Sequence, residues 1–229
     1  MKTWPHRLFM VFMLLAACVS GMAETHYRPH ISIGARAGAT MSRASFSPSI
    51  PQTWITGSCG ALTFRYTEEK LFGLVAELGW TTRGWREDFK GAPFSYSRSV
   101  TYLTLPVMTH IYFGSRRFKC FVNLGPSVSM RLGDKITADF DYRDPLQVPD
   151  FPKNRQTEQL YADITGRFDY GITAGLGFEF WVHPSHSVSL EGRFYYGLGN
   201  MFPSSKADTF GASRHMTLEM TVGYNFRLR

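Results

Sequence analysis

Apolar and polar residues alternate one by one along most of the chain after about residue 30. Such alternation places successive side chains on opposite faces of a β-strand, whereas an amphipathic helix repeats about every 3.6 residues. Helical periodicity is nearly absent from this part of the chain, so the pattern predicts an all-β fold. The predicted strands cover 30–41, 54–66, 71–86, 98–113, 117–132, 168–182, 186–200 and 214–228.

Glycine and proline interrupt two of these strands. Gly57 and Gly60 blur the phase of the second predicted strand, which indicates a β-bulge. Pro106 lies in the middle of the fourth, and proline has no N–H for the hydrogen-bond ladder. We therefore expect Pro106 on the interior face, at a local break in pairing where a ladder hydrogen bond is lost or a bulge forms.

The links between the predicted strands alternate in length. Tight polar turns occur at 67–70, 114–117 and 183–186, and longer links lie near 42–53, 87–97, 133–167 and 201–213. Short turns on one side and long loops on the other are typical of outer-membrane β-barrels, with the turns in the periplasm. An even number of strands also brings both ends of the barrel to the same side. The longest link, 133–167, is then one long extracellular loop.

The two faces of the predicted strands differ in chemistry. One face is apolar over about seven positions, which matches a lipid-facing band of about 25 Å for tilted strands. Charged residues in mid-strand share the other face, and burying them unpaired in a soluble core would cost several kcal/mol each. A closed barrel lets them pair inside. The pattern thus predicts an eight-stranded antiparallel up-and-down transmembrane β-barrel, with a lumen polar network of Arg36, Glu77, His110, Arg131, Glu179, Glu191, Arg193 and Glu219.

The first residues have the features of a secretory signal peptide. Lys2 and Arg7 precede an apolar run at 8–15, and small residues end at Ala23, the expected cleavage site. The sequence therefore predicts a signal peptide at 1–23, export to the outer membrane, and one barrel domain at 24–229. An alternative is a lipoprotein, since Leu-Ala-Ala-Cys at 15–18 would make Cys18 the lipidated N-terminus.

Composition narrows the class of protein further. The net charge of +7 falls to +5 once the two basic residues Lys2 and Arg7 are removed, and no basic stripe with interleaved aromatic residues indicates nucleic-acid binding. Beyond Cys18 only Cys59 and Cys120 remain, which predicts no disulfide framework. No apolar run after the signal reaches the length of about 18 residues that a transmembrane helix needs. We expect a monomer in contact with outer-membrane lipid.

Three sets of residues have side chains suited to catalysis or metal binding. His110 faces the predicted lumen and could act as a general base, but no nucleophile accompanies it at a fixed spacing. His183 and His186 lie in a turn without a third metal ligand. Acidic residues at 139, 141 and 144 resemble a calcium loop that lacks the turn glycine and the final glutamate. The sequence predicts no catalytic residue, no metal and no cofactor.

Short motifs in order along the chain resemble a known family. Tyr-Leu-Thr-Leu-Pro-Val at 102–107 resembles the Y-L-x-[IL]-P-[LIV] strand of the PorT-like small outer-membrane β-barrels. Segments 34–42, 74–84, 121–132, 168–180 and 190–201 look like the other strands of that family. The resemblance implies an outer-membrane location and a barrel fold, and it supplies no catalytic residues. The chain departs from the family at Thr104 and His110, where Glu and Lys are common, and a neutral contact could replace that pair.

Size then sets an expectation for function. Eight strands leave an interior just wide enough for side chains, so we expect a closed barrel with a structural or partner-binding role through its extracellular loops, chiefly 133–167. Two alternatives stay open. One is a lipid-acting outer-membrane enzyme, and the other is a periplasmic lipocalin-like binder tethered through Cys18, which would need an apolar lumen.

Overall fold

The computed structural model describes residues 29–68, 71–152, 155–204 and 208–228. The predicted signal peptide, with Cys18 and the cleavage site at Ala23, lies outside the described residues, and both remain predictions.

Antiparallel strands form a closed ring. They are β1 (His30–Ser47), β2 (Gln52–Thr53), β3 (Ile55–Thr67), β4 (Phe72–Glu87), β5 (Tyr96–Gly114), β6 (Phe118–Ala138), β7 (Phe168–His183), β8 (His186–Gly197) and β9 (Ala212–Arg227). The order is β4-β3-β1-β9-β8-β7-β6-β5, and pairing of β4 with β5 closes the barrel. The two-residue β2 adds only a short extension to the end of β4. The predicted all-β antiparallel barrel of eight long strands is confirmed.

Side chains alternate between the lumen and the outside as the sequence pattern predicts. Large apolar residues such as Leu62, Leu176 and Met220 are exposed on the outer face. Aromatic residues form an outer girdle near the ends of the strands that adjoin the short turns: Phe72, Phe113, Phe118, Phe180, Tyr224 and Phe226 are all exposed. Aromatic girdles of this kind occupy the membrane–water interface.

Several strands continue beyond the apolar band on the side of the long loops. The structure therefore corrects the predicted loop at 133–167, because β6 runs to Ala138 and the loop begins at 139. Strand β1 likewise extends to Ser47. Beyond the apolar band the strands stay paired, but their apolar side chains turn inward. The outward apolar alternation, which the prediction used to find the strand ends, therefore stops before the strands do.

Strand β6 contains a β-bulge, and the register of β2 and β3 against β4 shifts by one residue. Register between β1 and β3 is continuous through Gly57 and Gly60. Against β4, however, the five residues between Thr53 and Cys59 oppose the four between Thr81 and Arg86, so the irregularity predicted near Gly57 is present on that side. Gly60 blurs the pattern for another reason: a Cβ at this outward position would lie 2.4 Å from the ring of Trp80, which covers it. The bulge occurs where Thr101 and Tyr102 of β5 pair with Gly133 and Arg131, leaving Leu132 unpaired.

Pro106 lies on the lumen side in the middle of β5, and its pairing is interrupted as predicted. The ladder to β4 omits the two positions between Ala76–Val107 and Gly79–Thr104. The ladder to β6 also omits two positions beyond Pro106–Ser127. Register does not shift on either side, so the barrel loses ladder pairing around the proline instead of forming a bulge there.

The long loop contains little regular structure. A 3-10 turn covers Pro145–Gln147, and a single-turn α-helix covers Glu158–Tyr161. Among the described residues there is no helix of the length and apolarity required to cross a membrane.

Candidate functional site

A buried carboxylate, Glu77 of β4, is the centre of the polar lumen. Arg36 Nε donates to Glu77 Oε2 at 2.9 Å, and both terminal nitrogens of Arg193 donate to the Glu77 carboxylate at 2.6 and 2.7 Å. Arg36 also reaches Glu219 at 3.2 Å. Arg193 also donates hydrogen bonds to both carboxylate oxygens of Glu191, at 2.7 and 2.8 Å. The predicted charges of four strands are thus joined in one network.

The network continues toward the end with the short turns through an amide. Asn123 Nδ2 donates to Glu191 Oε1 at 2.7 Å, and His110 Nδ1 lies 2.7 Å from Asn123 Oδ1. Because the Asn123 oxygen only accepts, the Nδ1 atom carries the hydrogen. The His110 ring packs against Tyr112 and Phe121. This is a hydrogen-bonded interior histidine.

Two further ion pairs flank the central network. Arg65 donates to Glu179 at 2.7 Å, and Arg83 lies 3.5 Å from Asp169. The hydroxyl of Tyr195 also donates to Asp169 at 2.8 Å. Sequence reasoning included Glu179 but missed Arg65, Arg83 and Asp169. The alternation of the predicted strands places these three residues on the inward face, which was the signal that could have identified them. Each lies near a strand end, however, where a charged side chain can also be exposed to water.

The structure places Arg131 away from this network. Arg131 is partly exposed at the end of the barrel with the long loops, and it donates to Asp134 at 3.0 Å. Arg131 pairs with the inward-facing Tyr102 just before the bulge, nearer to the long loops than the central network. The bulge at Leu132 then reverses which side chains face inward beyond it. Asp134 therefore faces the interior of the barrel extension, where Arg98 contacts it at 2.7 Å.

Side chains fill the lumen almost completely. A cavity of about 20 Å³ remains beside Arg36, Glu77 and Arg193, which is room for about one water molecule. A cavity of this size beside Glu77 is too small for a sugar.

An apolar core closes the end of the barrel with the long loops. We call it the cap core, and its buried members are Ala44, Phe46, Ile50, Trp85, Phe89, Tyr96, Val100, Tyr102, Phe151, Leu160, Ile164, Met201, Phe202 and Phe210. Trp85 is fully buried and packs edge-on against Phe46 and Phe202. Side chains from strand extensions and from separate loops meet here, so the loops form an ordered lid.

One carboxylate is buried beneath this lid. Glu87 pairs with Arg155 and accepts a hydrogen bond from Gln159 at 3.1 Å. Burial raises the pKa of Glu87 above its ordinary value of 4.5, while the contacts with Arg155 and Gln159 oppose that shift. Burial also raises the pKa of Tyr96, whose hydroxyl donates to the carbonyl oxygen of Leu160 at 2.8 Å. Both contacts tie the long loop to the strand extensions.

The outer surface of the lid carries a groove of about 510 Å³. Three loops line it, with apolar, acidic and basic side chains together: Ser49, Ile50, Pro51, Asp88, Phe89, Lys90, Pro152, Arg155 and Gln156. Arg155 lies over the face of Phe89, 4.1 Å from the ring centroid, so the charged and apolar parts of the groove are in contact.

The histidine and aspartate side chains with metal-like spacing have other partners. His186 Nδ1 lies 2.5 Å from the hydroxyl of Tyr224, and His183 Nδ1 accepts from the backbone N–H of Ser185. In the long loop, Asp139 and Asp141 accept hydrogen bonds from backbone N–H groups. No group of three or more metal-ligating side chains occurs within the described residues.

Comparison with known proteins identifies the relatives of this barrel. A family profile described as "Outer membrane protein beta-barrel domain" matches residues 24–203. No curated protein sequence matches the chain.

Among solved structures, the outer membrane protein OprG from Pseudomonas aeruginosa is similar at 13% identity, with a TM-score of 0.52, over 86% of this chain and 96% of that chain. E. coli Outer Membrane Protein W is 17% identical, with a TM-score of 0.42, over 88% of this chain and 100% of that chain. Ail of Yersinia pestis is 14% identical, with a TM-score of 0.42, over 86% of this chain and 99% of that chain. At these identities the likeness to OprG shows the fold alone.

Proposed function

The chain belongs to the family of outer membrane protein β-barrel domains, and from that membership we propose that it is a closed anchor whose extracellular lid binds a partner. It is an integral β-barrel of the outer membrane, in contact with lipid. One contrast carries the proposal: the lumen holds a cavity of about 20 Å³, whereas the lid surface offers a groove of about 510 Å³. A binding role through the lid fits this shape better than transport does.

Liposome swelling tests the closed lumen. Vesicles containing the purified protein should swell in a sugar solution no faster than empty vesicles, and an open porin in parallel vesicles confirms the sensitivity. Rapid swelling with the folded wild-type protein would contradict the closed anchor.

Photo-crosslinking in intact cells tests partner binding at the groove. A photoreactive residue is placed at Lys90 in the groove, at Leu146 elsewhere on the lid, or at Leu218 on the lipid face. Lys90 lines the groove, and both leucines are exposed. We expect a discrete protein or glycan adduct from position 90 that the other two positions do not give. Absence of an adduct specific to position 90 would refute partner binding at this groove.

Within the family, we propose that the chain is PorT-like. The Tyr-Leu-Thr-Leu-Pro-Val strand supports this assignment, with its inward proline in the middle of β5. The two departures do not contact each other as a replacement pair. Thr104 donates to the carbonyl oxygen of Gly79 at 3.4 Å, and His110 is bonded to Asn123. A sequence profile built from PorT-like barrels alone should match this chain better than profiles of the other outer-membrane barrels do.

We also propose that the chain is not an enzyme. His110, the residue considered as a base, is buried in the lumen against Asn123, where no lipid can approach it. Purified protein should release no fatty acid or headgroup from lipopolysaccharide. Hydrolase or acyl-transfer activity that disappears with His110→Ala would support the lipid-acting enzyme instead.

The lipocalin-like alternative needed an apolar lumen. The lumen within the apolar band is instead lined by Arg36, Glu77 and Arg193, and it is filled. Any tether through Cys18 lies outside the described residues. Membership in an outer-membrane family likewise disfavours a periplasmic binder.

A further inference from the structure

Two arginines project from the outer wall of the barrel just above its apolar band. Arg43 of β1 lies between the buried residues Ser42 and Ala44, and Arg214 of β9 lies between Ser213 and His215. Because neighbouring residues of a strand face opposite sides, both guanidiniums are on the outside. They point sideways from the barrel and not into the lid.

The pairing of β1 with β9 brings these two arginines together. Arg43 is opposite Met216, and Ser45 is opposite Arg214, so the two arginines are diagonal neighbours on one face. Diagonal neighbours in a sheet have side chains about 7 Å apart at their origins, within reach of long side chains. One small group could therefore contact both guanidiniums.

Neither guanidinium forms an ion pair with a residue that the structure describes. The Nε atom of Arg214 is buried without a hydrogen-bond partner. Arg43 lies over the ring of Trp54, 5.2 Å from its centroid. Stacking restricts the orientation of a guanidinium and leaves its in-plane N–H groups available. The pair is a site of two positive charges without a carboxylate partner among the described residues, and Trp54 orients one of them, Arg43.

The height of this pair in the membrane indicates what it contacts. Met41, Leu218 and Met220 lie below it on the same outer face and are exposed to the acyl chains. Toward the long loops, Arg43 is the next outward residue after Met41, and Arg214 is the second after Leu218. Tryptophan, here Trp54, is typical of the interfacial level. Lipid headgroups occupy that level beside the barrel wall, while a protein partner would approach from above the lid.

We propose that Arg43 and Arg214 bind a phosphate of a phosphorylated glycolipid in the outer leaflet. Guanidinium groups match phosphate oxygens with paired hydrogen bonds, and two of them beside one headgroup neutralise its charge. The glycolipid phosphate is the source of choice because the pair lies on the long-loop side, which faces the outer leaflet. This site goes beyond partner binding through the lid and does not depend on it.

Native mass spectrometry of the purified barrel tests the site with lipid A as the probe. Wild-type protein should retain bis-phosphorylated lipid A, and it should bind dephosphorylated lipid A much more weakly. The double variant Arg43→Gln, Arg214→Gln should bind the phosphorylated form about thirtyfold more weakly, because each basic residue at a lipid surface contributes about one kcal/mol. A variant with Arg43→Lys and Arg214→Lys should recover part of the affinity.

The matched control replaces two other arginines at the end of the barrel with the long loops. Arg86 and Arg143 are exposed, and their change to Gln should leave lipid A binding unaltered. Heat-modifiable migration on a gel shows that each variant is folded. Equal affinity of wild-type protein for the phosphorylated and dephosphorylated lipids would overturn the proposal without any variant. Phosphatidylglycerol bound as tightly as lipid A would overturn the assignment to a glycolipid.

Discussion

The interior of this barrel has opposite chemistry at its two ends. Within the apolar band the interior is a network of ion pairs around Glu77, whereas under the lid it is a core of aromatic and aliphatic side chains around Trp85. Both residues belong to the same inward-facing row of β4. Lipid surrounds the apolar outer face at the level of the ion-pair network, whereas water surrounds the wall at the level of the cap core. The medium outside the wall thus decides which side chains fill the inside.

The network is where we expect the largest effect of a single substitution. Glu77→Ala should lower the free energy of unfolding by about 5 kcal/mol, because it leaves two buried guanidiniums without their shared carboxylate. Arg36 and Arg193 both contact that carboxylate. The measurement is urea unfolding of the protein in lipid vesicles, followed by tryptophan fluorescence.

A neighbour on the opposite face is the control for this change. Leu78 is exposed to lipid, so Leu78→Ala should have a much smaller effect. If Glu77→Ala and Leu78→Ala destabilised the barrel equally, the charge network would not be what holds the lumen together.

The lid should respond to loss of an apolar side chain. Trp85→Ala should loosen the cap core by about 3 kcal/mol, since removal of a buried aromatic residue leaves a cavity. The expected result is faster protease cleavage within 139–167, with unchanged heat-modifiable migration of the barrel. Trp80→Ala, which alters an exposed tryptophan on the outer wall, should leave cleavage unchanged. Global unfolding of Trp85→Ala would show that the two regions are not separate.

The bulge in β6 links the two regions and can be removed. Deletion of Leu132 should turn Asp134, Ile136 and Ala138 away from the interior, because one residue fewer reverses their facing. Ile136 and Ala138 are partly buried against the cap core, so the lid should lose about 2 kcal/mol. Hydrogen exchange should increase in the lid and stay unchanged around Glu77. Unchanged exchange in the lid would contradict the role of the bulge.

The smallest effect is a pH dependence of the lid. Burial raises the pKa of Glu87 above 4.5, so between pH 4.5 and the raised pKa Glu87 binds a proton more strongly in the closed lid than in the open lid. The stability from this group is therefore complete below pH 4.5 and is lost as pH rises through the raised pKa. A fluorine label at Trp85 reports lid opening by NMR across that range.

Two substitutions test whether Glu87 causes this pH dependence. Glu87→Gln should remove it, whereas Asp141→Asn, which alters an exposed carboxylate of the same loop, should preserve it. Lid opening that decreases as pH rises would contradict the sign of the shift.

The sequence predicts the strands and the lipid-facing side because alternation is a local property. It places Glu77, Glu191 and Arg193 inside for the same reason, since a charge in mid-strand has only one tolerable side. Their specific partners, such as Asn123 for Glu191, depend on how strands far apart in the chain meet across the lumen.

The lid is the part that could not be predicted. Phe46, Trp85 and Phe202 contact one another but are separated by long stretches of sequence, and no periodicity relates them. The bulge at Leu132 also has no signal in the sequence, because an exposed leucine continues the pattern of lipid-facing residues.

Ion conductance after removal of the lid tests most directly that the lumen network itself closes the barrel. In the variant, residues 141–164 are replaced by a short Gly-Ser linker, and the folded protein is inserted into a planar bilayer. We expect no discrete conductance steps from this variant, as from the wild-type protein, because side chains still fill the lumen around Glu77. Steady open-channel conductance of the lidless barrel would contradict it and would assign closure to the lid.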